Sequence, residues 1–244
     1  MKINNYTPLF NITSRITMHY DQFETLMSAP RLARYWLSCK ASTSQTQQLY
    51  KANIRLSQSF LGVLSIFEVV LRNRIDQCYK TIFFDQNGAD DWLVSAIHNG
   101  GFLTQKGCEK SLVKIRAAYN KLGKHYTHDK LVAELSFGVW VFLFAGKQYQ
   151  AGGNILLSIF PKRPRKLNQK VIYQKLNQIN SLRNRVAHHE PICFGPTNTI
   201  SANYARLHFQ HIVDLLTWMD VDATALFEDI FSCTNEMDAL ERFA

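Results

Sequence analysis

At 244 residues, with 46% hydrophobic and 19% charged side chains, the chain is long enough to bury a sizeable core, and its composition excludes disordered and fibrous classes. It carries 28 Lys and Arg against 19 Asp and Glu, a formal charge of +9 that suits a polyanionic partner, nucleic acid first among them. The five cysteines, Cys39, Cys78, Cys108, Cys193 and Cys233, form no CxxC pair, which fits buried thiols of a reducing compartment better than a disulfide framework or a zinc cage.

The first fifteen residues, MKINNYTPLFNITSR, lack the apolar run of a signal peptide. DQFETLMSAPRLARYWLSC (21–39) predicts two short helices, with Pro30 in the first turn of the second. Ser44 with Gln47 resembles a capping box and opens a long helix to about Phe84, in which Leu56, Phe60, Leu64, Phe67, Leu71 and Ile75 make one apolar stripe. DQNGADD (85–91) breaks it, and short helices follow around 91–98 and 104–121, separated by Gly100 and Gly101.

Thr127 or Asp129 then opens a helix through KLVAELSFGVWVFLFAGKQY to residue 149, apolar nearly all round and so central to the core. Its most apolar part, FGVWVFLFAG (137–146), is about half the length needed to span a bilayer. Gly152, Gly153 and PKRPRK (161–166) make a basic loop. Asn168 begins a helix with Val171, Ile172, Leu176, Ile179, Leu182 and Val186 on its buried side, ending by Glu190 because Pro191 disfavours helical geometry before it. After Gly195 and Pro196, NYARLHFQHIVDLLTWM predicts another helix, and a short helical piece closes the chain. Few Gly and Pro and no alternating strand pattern make the class all-α, with helices 43–84, 128–149, 168–190 and 200–220 as the bundle. The expected organisation is a helical extension (1–42) packed on the bundle, a helical domain (43–221) and a short tail (222–244).

LRNRVAHHEP (182–191) concentrates two arginines, an asparagine, two histidines and a glutamate. On a helix Asn184 and His188 share a face, as do Arg185 and His189, whereas Arg183 lies about 140° from His188. A histidine near neutrality can move the proton of a ribose 2′-hydroxyl or a leaving oxygen, and an arginine can hold the phosphate, so the set suits RNA phosphodiester cleavage. The bland alternative is a solvated helix end, with Glu190 pairing one of the basic groups. The tetrapeptide LRNR recurs at 71–74, which suggests two arginine-bearing helices that face each other. Other chemistries lack their signatures: there is no HExxH, GxSxG, GxxxxGK[ST] or GxGxxG. His125 and His128 have a ligand spacing but no third partner in sequence and read as a solvated helix start, and Cys193 reads as a packing residue.

LRNRVAHHEP resembles the signature of the Abi-like (abortive infection) proteins of the HEPN superfamily: Arg183, the polar Asn184, three residues, then His188. SIFEVVLRNRI (65–75), PRLARYWL (30–37) and AELSFGVWVFLF (133–144) look like the same family, so the resemblance runs from about residue 20 to 220. It implies a HEPN-like helical bundle, usually paired across a two-fold axis through the motif helix, and a metal-independent endoribonuclease that cuts by 2′-hydroxyl attack. By carry-over His188 moves the proton, Arg183 binds the phosphate and Asn184 orients, supported by Arg185, His189, Glu190 and, on the early helix, Glu68 and Arg72. No cofactor and no metal are expected. RNA is the expected partner, met also by Lys162, Arg163, Arg165 and Lys166, alongside an antitoxin or a phage-derived trigger; the location is cytoplasmic, with no membrane. The alternative within the family is a non-catalytic RNA-binding or partner-regulating module.

Overall fold

The computed structural model describes residues 18–87, 91–228 and 233–244, with side chains to Ile82 in the first stretch. The opening residues read above as lacking a signal peptide, and residues 88–90 of the DQNGADD break, lie outside them. The described residues are all-α, without strands apart from one isolated bridge between Phe194 and Ile200. In chain order the helices are α1 (Tyr20–Met27), α2 (Ala29–Ser38), α3 (Thr43–Asn87), α4 (Trp92–Ile97), α5 (Glu109–Leu122), α6 (His128–Glu134), α7 (Phe137–Phe142), α8 (Gly146–Ala151), α9 (Gln169–Ala187), α10 (Asn203–Trp218), α11 (Ala223–Phe227) and α12 (Cys233–Glu241). The chain divides into two compact units between Lys51 and Ala52, inside α3.

The first unit is built on aromatic rings. Tyr50 receives Tyr35 and Phe23 edge-on at 5.2 and 5.5 Å, and its hydroxyl accepts from Arg31 Nε at 3.2 Å. Leu32 and Leu49 are fully buried. Pro30 stands in the first turn of α2 as expected, where its missing N–H costs nothing. The start of α3 differs from the expectation: Ser42 rather than Ser44 supplies the cap, its Oγ accepting from the Gln45 N–H at 3.4 Å, while the Ser44 hydroxyl accepts from the Gln48 side chain inside the helix.

In the second unit the expected stripe of α3 forms the core, with Leu56, Phe60, Phe67, Leu71 and Ile75 fully buried and Leu64 nearly so. By length and composition alone α3 could cross a membrane, yet this apolar side is packed within the fold. The single helix expected from 128 to 149 is three short ones. Leu135 and Ser136 adopt extended backbone between α6 and α7, and Ala145 does so before α8. A segment apolar on every side has no periodicity to mark such breaks, so burial of Trp140, Phe137 and Val141 from several directions decides its path. Gly152 is required where it stands, because a Cβ there would collide with the Tyr79 hydroxyl; Tyr79 stacks on Trp92 at 4.4 Å. α9 packs between α7 and α10 and buries Ile172, Leu176, Ile179, Leu182 and Val186.

Candidate functional site at the end of the motif helix

Asn168 opens α9 by accepting from the Val171 N–H, and the helix ends at Ala187, three residues before the expected limit at Glu190. His189 takes φ 58°, so the Glu190 N–H returns to the Arg185 carbonyl at 2.8 Å and the His189 N–H to Val186 at 3.1 Å. This double closure satisfies the last carbonyls with a histidine in the left-handed position where glycine is usual. His188 is the residue at which helical geometry stops, and its side chain is exposed.

The loop beyond is fixed by named contacts. Arg185 donates from Nη2 to the Pro191 carbonyl at 2.7 Å, approaches the Glu190 carboxylate at 3.5 Å and lies 5.0 Å over the Tyr204 ring of α10. The Ile192 N–H donates to the buried Asn53 side chain of α3 at 2.9 Å. Arg185 and Glu190 are therefore engaged in holding the helix end, which leaves His188 presented on a fixed backbone.

Arg183 is half-buried on a different side of α9. Its charge acts on Glu68 of α3: burial pushes the Glu68 carboxyl above the ordinary range, opposed by Arg183 and, less strongly, by Arg72. Arg72 follows Glu68 by one helical turn, and its Nε is buried without a hydrogen-bond partner among the described residues. One arginine of each LRNR segment, Arg72 and Arg183, thus acts on the same carboxyl, and Leu71 and Leu182 before them are both fully buried. No hydrogen bond or ion pair joins Arg183 to His188; Asn184 and His188 are exposed, and Arg183 is half-buried on another side of the helix.

In the basic loop, Arg163 donates to the carbonyls of Leu167 and Leu157, both at 3.3 Å, and so fastens the loop, while Lys162, Arg165 and Lys166 are exposed.

Two groups of side chains escaped the sequence. His128 is not a solvated helix start. Its Nε2 lies 2.6 Å from Asp76 of α3 and its Nδ1 3.0 Å from Asp91, which caps α4. Asp76 also accepts from Trp92 Nε1 and pairs with Lys80, both at 2.8 Å, and Asp91 accepts from the Tyr126 hydroxyl. Burial would lower the His128 pKa, but the hydrogen bonds it donates to the two carboxylates raise it to about 9; burial would raise Asp76, but His128, Lys80 and Trp92 hold it at about 2. With both ring nitrogens engaged, this imidazolium ties three elements together and is no proton carrier at neutral pH. Asp76 stands 52 residues from His128, a separation no local spacing rule reaches.

The second group is the buried pair His208 and His211 on the inner side of α10. His208 Nδ1 lies 2.7 Å from the Tyr204 carbonyl under the Tyr204 ring, and His211 Nδ1 is buried without a partner among the described residues. Their helical repeat with Ile212, Leu215 and Leu216 was the signal available in the sequence. Among the described residues no group of His, Cys, Asp or Glu side chains is arranged to hold a metal ion.

No family model, curated protein or solved structure matches the chain.

Proposed function

We propose that the protein is an endoribonuclease of the abortive-infection or toxin type, a HEPN-like, cytoplasmic enzyme that cuts RNA without a metal or other cofactor. The observation that carries this reading is the helix end itself. His188 is held exposed, one turn beyond Asn184, on a backbone fixed by the Arg185 clamp, and Arg183 stands beside the Glu68 and Arg72 pair.

In the proposed reaction the neutral His188 imidazole takes the proton of a ribose 2′-hydroxyl, the 2′-oxygen attacks the adjacent phosphorus, and the bond to the 5′-oxygen breaks. The leaving 5′-oxygen takes up a proton from water, which gives a 2′,3′-cyclic phosphate and a 5′-hydroxyl, and His188 returns its proton to solvent. Arg183 holds the non-bridging oxygens as charge gathers on them, and Asn184 orients the phosphate.

Because Arg183 and His188 diverge in one chain, the reading includes a homodimer in which two motif helices complete one cleft. Leu61 and Val69, 55% and 40% exposed, share a face of α3 with Glu68 and Arg72 and offer a second copy an apolar contact beside the site. Purified protein compared with His188→Ala on RNA in EDTA tests the reading. The same divergence favours a second reading, an RNA-binding or partner-regulating module without catalysis.

A further inference from the structure

Between Glu134 and Glu190 the chain contains no Asp or Glu, while it carries nine Lys and Arg. This acid-free stretch includes α9 and the loop before it. Lys170, Gln174, Asn177, Ser181, Asn184 and His188 are all exposed. At 100° per residue they fall within about 80° of one another, directly opposite the buried Ile179 side, along about 27 Å of helix.

A solvated helix face normally carries Glu, Lys and Ala, which favour the helix and keep it soluble. Asn and Ser are poorer helix formers, because their side chains compete for the backbone; Ser181 does so here, donating to the Asn177 carbonyl at 3.1 Å. The side-chain amides of Gln174, Asn177 and Asn184 have no partner among the described residues. The face therefore gives up helix preference for unused hydrogen-bonding groups, and no carboxylate of its own stretch repels an anion. Lys162, Arg165 and Lys166 are exposed just ahead of it and form no ion pair among the described residues.

We propose that this outward face of α9 is the track on which a single-stranded RNA lies, its phosphates gathered by Lys166 and Lys170 at one end and its scissile bond delivered to His188 at the other. The inference rests on the endoribonuclease reading and adds the path of the strand. Basic ends attract the backbone without regard to sequence, and the amides between them can donate to phosphate oxygens and accept from 2′-hydroxyls. A second protein is a poorer occupant. Interface cores are apolar and aromatic, and none of the large exposed hydrophobic side chains is on α9.

The test is fluorescence anisotropy with the full chain in the His188→Ala background and a single-stranded RNA of about 12 nucleotides. Asn177→Asp with Ser181→Asp puts two carboxylates on the face and should weaken binding about tenfold or more, with far-UV circular dichroism unchanged. Lys166→Ala with Lys170→Ala, which leaves the helix centre untouched, should reduce the slope of log affinity against log salt by about 1.4. Wild-type affinity and slope in both variants would overturn the track while leaving cleavage by the His188 chain intact. Displacement of the RNA by polyglutamate at equal charge would overturn it in favour of an acidic protein. Absence of both RNA binding and cleavage in the unsubstituted chain would overturn the track and the endoribonuclease reading together.

Discussion

Arg183 and His188 leave the same helix about 140° apart: the first bears on the half-buried Glu68 of α3, and the second stands exposed where α9 ends. The group proposed to hold the phosphate and the group proposed to move the proton lie on different sides of the helix, so the proposed chemistry takes them from different copies.

That division has a direct consequence. Arg183→Ala and His188→Ala should each be inactive alone, and mixing them should restore cleavage to about a quarter of the wild-type level, since half the dimers are mixed and each mixed dimer keeps one of the two Arg183–His188 pairs that serve the shared cleft. Cleavage measured on the re-equilibrated mixture checks this. No recovery, in a protein that light scattering shows to be dimeric, would put both groups in one chain.

Arg185 and Arg183 are neighbours with different work. Arg185→Ala removes the bond to the Pro191 carbonyl and the contact over Tyr204, and should cost about 2 kcal/mol in a denaturant titration. Lysine should restore little of it, because it cannot reproduce a planar guanidinium lying on a ring. Arg183→Ala, which frees Glu68 from an opposing charge, should change stability much less and RNA affinity more.

The fold class and the α3 stripe were legible because they rest on local periodicity, and the candidate site could be proposed because it rests on a local motif. Leu56 to Ile75 could be placed from their spacing alone, and the LRNR echo pointed to the two helices whose arginines converge on Glu68. What could not be read was set by tertiary contacts. The 128–149 segment breaks at Ser136 and Ala145 because several elements bury it at once, and an all-apolar sequence carries no record of that. His128 looked solvated because its partners come from positions 76 and 91. The carbonyl partners of Arg185, expected in a supporting role, and of Arg163, expected on the RNA surface, could not be read either, because residue type is visible in a sequence and a carbonyl partner is not.

The Asp76–His128–Asp91 cluster makes stability depend on pH at the alkaline end. The folded His128 pKa of about 9 lies above its ordinary value near 6.5, so the stabilisation is fully present below about pH 6.5 and is lost as pH rises through 9. His128→Ala should cost about 3 kcal/mol at neutral pH by leaving two carboxylates facing each other, and should flatten the alkaline loss. Thermal melts of both proteins from pH 6 to 10 check it; identical pH profiles would contradict the assignment.

His211 gives the opposite limb. Burial first, then Lys175 and His208, hold its pKa at about 4, below the ordinary value, while Asp214 opposes them less strongly. Keeping it neutral carries no pH-dependent cost above about pH 6.5, and stability falls as pH drops from there toward 4. His211→Leu should weaken that acid loss in the same melts.

The most direct measurement of the central claim is RNA cleavage in EDTA by purified wild-type protein beside His188→Ala, with the product ends analysed. Wild type should leave 2′,3′-cyclic phosphates and 5′-hydroxyls, with deoxyribose at the cut blocking the reaction, and His188→Ala should leave RNA intact while still binding it. Equal cleavage by both proteins would contradict the assignment of His188 as the group that moves the proton.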